Sequence, residues 1–213
     1  EALVAKWAGA KYMYVKKNMN WGRKAWKTKS MLSSAIIARN TTMGETFFAK
    51  RYYKRKVHLI HGGVDTDMFR PSFNMAVRRE LGIPDKALLA CSIAQIVRSK
   101  DIATLIKAVS RVEQAYLVLA GAVRDQAYKD ELDALVQKLD IKDKVYFIGE
   151  SSSVNDLLNA CNAFVLATST YKGHEEGCPV AVLEAMAAGT PCVVSDVAGN
   201  RDLIQHGKTG LVF

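Results

Sequence analysis

At 213 residues, with 49% hydrophobic residues and only four prolines, the chain has the composition of a cored globular protein and not of a disordered one. No apolar run reaches the ~18 residues of a membrane span, no charged-then-apolar leader is visible, and the cysteines and histidines show neither Cys-x-x-Cys nor His-x-x-x-His spacing. The net charge of +9 is unevenly placed: residues 1–60 hold 14 Lys and Arg against Glu1 and Glu45, a net +12, while residues 61–213 hold 16 against 19, a net −3.

Residues 1–60 read less cleanly than the rest. Lys11–Lys16 (KYMYVK), Ser34–Arg39 (SAIIAR) and His58–Ile60 are predicted strands, and Trp7, Trp21 and Trp26 all fall in this stretch. These elements are too few to close a core, so the segment reads as the remnant of a basic domain. The charge changes sign near His61, which sets the boundaries: 1–60 as the remnant, 61–86 as a linker with a first helix, and 87–213 as the main domain.

From Ala87 onward, short apolar runs alternate with helical patterns. Ala87–Ala94 (ALLACSIA) reads as a buried strand, and Asp101–Val112 carries apolar residues at helical spacing. Ala115–Ala120 (AYLVLA) is a strand and Gln126–Leu139 an amphipathic helix. Lys144–Ile148 is a strand, followed by a helix over Val154–Cys161 and a strand over Ala163–Ala167. A helix over Pro179–Ala188, a strand over Cys192–Ser195, a short helix over Asn200–His206 and a last strand from Gly210 complete the pattern. Such alternation requires right-handed crossovers and a mostly parallel sheet covered on both faces. The predicted fold is therefore α/β, a Rossmann-like parallel sheet with helices on both faces, preceded by a partial second α/β domain. Ligands bind such sheets beyond the carboxyl ends of the strands, which directs attention to loops 95–100, 121–125, 149–153 and 168–178. Cys91, Cys161 and Cys192 lie in or beside the apolar runs and read as buried, reduced thiols of a cytoplasmic protein.

The most informative stretch runs from Glu176 to Pro191 (EGCPVAVLEAMAAGTP). Pro179 fits a helix start, where its missing N–H is not needed. Gly177 permits close approach of a ligand to the backbone. Free N–H groups at the helix start attract anions. Glu176 lies in the loop and Glu184 in the helix, so both can face one pocket. A phosphorylated ligand bearing hydroxyl groups suits that set, with amides for phosphate and carboxylates for hydroxyls.

The stretch also resembles a known signature. Glu–Gly–x–Pro followed by Glu–Ala–Met–Ala–x–Gly–x–Pro is similar to the motif of retaining nucleotide-sugar glycosyltransferases of the GT-B fold, the group 1 or family 4 type. A lone pair of glutamates at this spacing is common in ordinary helices; the surrounding Gly, Pro and Ala–Met–Ala are what carry the resemblance. It extends over His58–Phe213. His61-Gly62-Gly63-Val64-Asp65 and Phe69-Arg70-Pro71 resemble the family's linker, with Gly62 where Asn is usual. Gln95 through Asp101 aligns with a segment that in the family opens on Arg and closes on Lys–Gly. Lys100 matches, but Gln95 stands in place of the Arg and Asp101 in place of the Gly. Ala120-Gly121, Phe147-Ile148-Gly149 and Gly207-Lys208-Thr209-Gly210-Leu211 match in order. Ala198-Gly199-Asn200-Arg201-Asp202 replaces the usual Gly–Gly–x–x–Glu.

The resemblance implies a donor that is a nucleoside diphosphate sugar, an acceptor that is a glycan or lipid-linked sugar, no further cofactor and no metal. It implies that Glu184 accepts from the ribose hydroxyls and that Glu176, with the backbone of Gly177, Cys178 and Pro179, holds the sugar. Lys100 and the amides near Val182 and Leu183 would stabilise the leaving diphosphate. Gly121 would line the strand end, and the backbone near Ser151 and Val154 would meet the nucleobase. With Gln95 in the family's Arg position, either Arg98 supplies the second cation or that charge is absent. The chain then reads as a donor-binding domain with a remnant of its partner.

Other readings are weaker. A dinucleotide-binding oxidoreductase needs Gly-x-Gly-x-x-Gly after its first strand, and Ser92–Val97 contains no glycine. A nucleic-acid-binding module built on the basic residues 1–60 lacks any known reading motif. A sugar-nucleotide epimerase shares the two-domain fold and is separated by its products. The basic segment itself is either a solvated surface or a peripheral contact with an anionic membrane face, where each well-placed cation contributes ~1 kcal/mol.

Overall fold

The computed structural model describes residues 1–17, 19, 25–50, 53, 56–171 and 176–213. Trp21 and the stretch 172–175 of the predicted 168–178 loop lie outside the described residues.

Two parallel sheets organise the chain. The smaller contains β1 (Met13–Lys16), β2 (Ala35–Ala38) and β3 (Val57–Leu59) in the order β1-β2-β3. The larger contains β4 (Leu88–Ile93), β5 (Ala115–Ala120), β6 (Val145–Gly149), β7 (Ala163–Leu166), β8 (Cys192–Val194) and β9 (Leu211–Val212), in the order β6-β5-β4-β7-β8-β9. Every pairing in it is parallel. Chain order runs from β4 outward through β5 to β6, then crosses back to place β7 on the other side of β4. That reversal is a topological switch point, and the crevice beyond the ends of β4 and β7 is where such sheets take ligands.

Strand periodicity divides the core. Along β5, Leu117 and Leu119 face one layer with Ile102, Leu105, Ile106, Leu132 and Val136, while Val118 and Ala120 face the other with Leu157, Phe164, Val182 and Ala185. The apolar spacing predicted over Asp101–Val112 becomes the helix Ile102–Val109, and the next pattern becomes Gln126–Lys138. Asp125 caps the latter by accepting from the Tyr128 N–H.

The structure corrects three expectations. The helix assigned to Asn200–His206 lies earlier and is shorter, at Ala198–Arg201. His206 instead forms a bridge with Gly210, and its ring bonds to the backbone of Val212. Two helices not anticipated are present: Ala25–Leu32 packs beside β1, and Ala2–Trp7 packs against Ala25–Leu32. The small sheet also closes a core after all. Ile36, Ala38, Met43 and Phe48 are fully buried, and the cluster they form includes Ala198 from the larger unit. The other buried members of that cluster all come from the first 60 residues. Among the described residues, no helix is long and apolar enough to cross a membrane.

Candidate functional site

The loop after β4 enters the crevice first. Gln95 is exposed, and Arg98–Lys100 form a single 3-10 turn. Asp101 then adopts φ 40° and ψ 48°, in the left-handed region. This is why the resembling pattern has Gly there, and why Asp is an acceptable substitute: its short polar side chain tolerates that conformation. Here the Asp101 carboxylate accepts from Thr104 Oγ1 at 2.8 Å, which secures the turn. The turn aims Lys100 across the crevice at the loop after β7.

Lys100 Nζ forms an ion pair with Glu176 Oε1, with side chains 21% and 17% exposed. Burial pushes the Lys100 ammonium down to about 8, and the adjacent carboxylate opposes that shift. Thr168 Oγ1 donates to the same carboxylate oxygen at 3.3 Å. The Ser169 N–H donates to Ser99 O at 2.9 Å, tying the two loops together. Behind them, Ser195 Oγ donates to Thr168 O at 2.6 Å and Asn200 Nδ2 donates to Ser195 O at 2.8 Å. Glu176 is thus held by a relay that begins on the helix Ala198–Arg201.

Pro179 stands at the N-cap of the helix Val180–Ala187 with φ −73°. The Val182 N–H donates to Pro179 O at 3.2 Å, and the α-helical pattern gives Leu183 the same acceptor. The amides that the helix leaves unused are therefore those of Val180 and Ala181, not the expected Val182 and Leu183. Glu184 lies on this helix, half-buried, with no hydrogen bond or ion pair to its carboxylate among the described residues. Burial raises its pKa.

Gly177 has a different reason from the one its sequence context implied. A Cβ there would collide with the carbonyl oxygen of Lys17, just beyond β1, so the neighbour that needs the space is protein backbone. Gly121, with φ 146°, keeps the end of β5 against Ala94, whose carbonyl a Cβ would strike. Its N–H donates to Gly149 O at 2.7 Å, closing the β5–β6 edge of the crevice. Ser151 Oγ accepts from the Ser153 N–H at 3.2 Å, and Val154 opens the next helix. Arg98 is not brought to Lys100's side. Its fork is engaged by Glu131 at 2.6 and 2.8 Å, with Asp125 at 3.6 Å and the Tyr128 ring beneath it.

Residues of the small sheet complete the crevice, and none was anticipated. Asn40, fully buried at the end of β2, donates from Nδ2 to Gly177 O at 2.8 Å and accepts from the Met43 N–H at 2.7 Å. Asp202 accepts from both the N–H and the hydroxyl of Thr41, at 2.5 and 2.9 Å, with His61 at 3.8 Å. The Gly62 N–H donates to Cys178 Sγ at 3.1 Å. Apart from the Asn40–Met43 turn, these contacts join residues more than a hundred positions apart in sequence, so no local pattern announces them.

The comparisons agree with this architecture. Residues 74–213 match the model of the family described as Glycosyl transferases group 1. The chain is 32% identical over 161 residues to a D-inositol 3-phosphate glycosyltransferase of Mycobacterium leprae, covering 74% of this chain and 37% of that protein. It is 31% identical over 166 residues to an alpha-maltose-1-phosphate synthase of Mycolicibacterium smegmatis, covering 74% and 42%. The chain thus spans well under half the length of these curated relatives. Its fold superposes on the crystal structure of Anabaena Alr3699/HepE in complex with UDP with a TM-score of 0.90 at 20% identity, covering 100% of this chain and 60% of that one. The parallel α/β architecture is that of GT-B glycosyltransferases, and the chain belongs to the group 1 glycosyl transferase family.

Proposed function

We propose that this chain is the donor-binding part of a retaining glycosyltransferase that moves a hexosyl unit from a nucleoside diphosphate sugar to a glycan or lipid-linked acceptor. The observation that carries the reading is a pair of unlike carboxylates, one in the loop after β7 at the switch point and one on the helix that follows that loop. Glu176 is tied to Lys100 and Thr168, whereas Glu184, half-buried on the next helix, has no partner among the described residues. A half-buried carboxylate is costly unless something donates to it, and the two hydroxyls of a ribose suit Glu184. Glu176, oriented by its relay, would receive hydroxyls of the transferred sugar. Lys100 and the amides of Val180 and Ala181 would meet the charge that develops on the diphosphate as the glycosidic bond breaks, which is stabilisation of the transition state by preorganised donors. Gly121 and the backbone from Ser151 to Val154 would border the nucleobase.

The test is a thermal-shift panel of UDP-, GDP- and ADP-sugars, with calorimetry on the responding nucleotide. A ligand at 100 times its dissociation constant should stabilise the fold by about 2.7 kcal/mol. Glu184→Ala should then bind that nucleotide about ten- to a hundredfold more weakly, the effect of losing hydrogen bonds to a charged group. Equal affinity in the wild type and Glu184→Ala would remove the ribose assignment.

A further inference from the structure

The departure at Gln95 leaves the loop after β4 with one cation in the crevice, because Arg98 is engaged by Glu131. A second guanidinium reaches the same crevice from the other sheet. Arg39 follows β2 and is half-buried. Its Nε is shut off from solvent with no hydrogen-bond partner, and its side chain has no ion pair among the described residues. Asp202, which the neighbouring Thr41 brings to this sheet, is already taken by Thr41 and His61. A buried guanidinium nitrogen without an acceptor is costly, and a planar fork of this kind suits a phosphate group.

Gly62 explains how the side chain fits. A Cβ at Gly62 would lie 2.7 Å from Arg39 Nη2, 3.0 Å from Leu183 Cδ1 and 3.1 Å from Cys178 Sγ. The atoms around that point belong to the start of the helix Val180–Ala187 and the loop before it. A larger residue there, including the Asn of the resembling pattern, would have to displace the guanidinium or its neighbours. The two departures at Gln95 and Gly62 are therefore linked: the cation missing from one loop has a counterpart on the opposite sheet, and the absent side chain makes room for it.

We propose that Arg39 is a phosphate-binding residue of the crevice, holding the diphosphate of the donor from the small-sheet side while Lys100 holds it from the large-sheet side. This rests on the donor-binding reading above. It makes the diphosphate site span both sheets, so that bound nucleotide clamps them together.

The experiment is calorimetric titration of UDP, GDP and ADP, and of the matching nucleosides, into the whole chain and into Arg39→Ala. The diphosphate bound by the wild type should lose about ten- to a hundredfold in affinity in Arg39→Ala, while the nucleoside alone is unaffected. Adding Gln95→Arg to Arg39→Ala should recover part of the loss. If Arg39→Ala does not fold, Gly62→Asn carries the same comparison by displacing the guanidinium. Diphosphate affinity unchanged by Arg39→Ala, or falling equally for the nucleoside, overturns the inference and leaves the donor-binding reading in place. A wild-type chain that binds none of the diphosphates removes both. Titration of glucose 1-phosphate separates donor from acceptor: a response that depends on Arg39 for the sugar phosphate but not for the diphosphate assigns an acceptor's phosphate there and overturns the proposal.

Discussion

Burial lowers the Lys100 ammonium from 10.5 to about 8, although Glu176 beside it favours the charged form. The sign of the consequence follows from proton counting. Between about pH 8 and 10.5 the unfolded chain holds this proton and the folded chain does not, so the Lys100 contribution to stability rises with pH there. Anion binding runs the other way, because a diphosphate needs the ammonium form. Nucleoside diphosphate affinity should therefore fall as pH rises through about 8, nucleoside affinity should not, and Lys100→Arg should flatten the profile. Calorimetry between pH 6.5 and 9.5, about a unit and a half either side of that value, checks this. A wild-type profile that matches Lys100→Ala would mean that Lys100 does not touch phosphate. At this scale the sequence was partly legible. Lys100, Glu176 and Glu184 stood out by type and spacing. Arg98 stood as one of two alternatives for the second cation, and the position of Glu131 on the next helix, out of sight in the linear pattern, turns its fork away.

The strands and helices of the larger unit were legible because each has a single dominant period. The apolar run of β5 buries both faces, β7 alternates buried with half-buried residues, and Ile102–Val109 places Ile102, Leu105, Ile106 and Val109 inward. The helix Ala198–Arg201 was misplaced because its position is set by packing. A Cβ at Gly199 would lie 2.8 Å from Glu176 O, so the helix forms where it can rest against that loop. Gly177 belongs to the same contact, with Lys17 on its other side. Gly177→Ala should therefore destabilise the chain by about 1–3 kcal/mol, the usual cost of forcing extra volume into a packed position. Gly44, where a Cβ would meet nothing within 4 Å, supplies the control. Urea denaturation of the two alanine variants should separate them clearly. Equal midpoints would show that the Lys17–Gly177 approach relaxes freely.

Taken as a whole, the molecule is two sheets of unequal size joined at the crevice that would hold the donor. The residues before His61 carry +12 and those after it −3. Among the described residues, the hydrogen bonds that join the two sheets include Asn40 to Gly177 and Thr41 to Asp202, and Ala198 adds to the smaller core. The length and charge of residues 1–60 indicated an incomplete unit, but nothing in them identified what would finish it, because each contact pairs a strand end with a loop far away in sequence. Asn40 is the clearest place to test this arrangement. Its amide links Gly177 of the donor loop to the Met43 turn, and both partners are buried. Asn40→Ala leaves a carbonyl and an N–H without their partner, which should cost about 1–3 kcal/mol. The loss should appear first as loosening between the sheets: faster proteolysis near residues 61–74 and weaker nucleotide binding, with the large sheet's own melting little changed. Asn40→Asp keeps the acceptor for Met43 but removes the donor to Gly177, so it should reproduce the binding loss with less damage to the small sheet. If Asn40→Ala lowers the melting of the whole chain in a single transition and leaves nucleotide affinity intact, the residue serves folding alone and the donor loop does not depend on the smaller sheet.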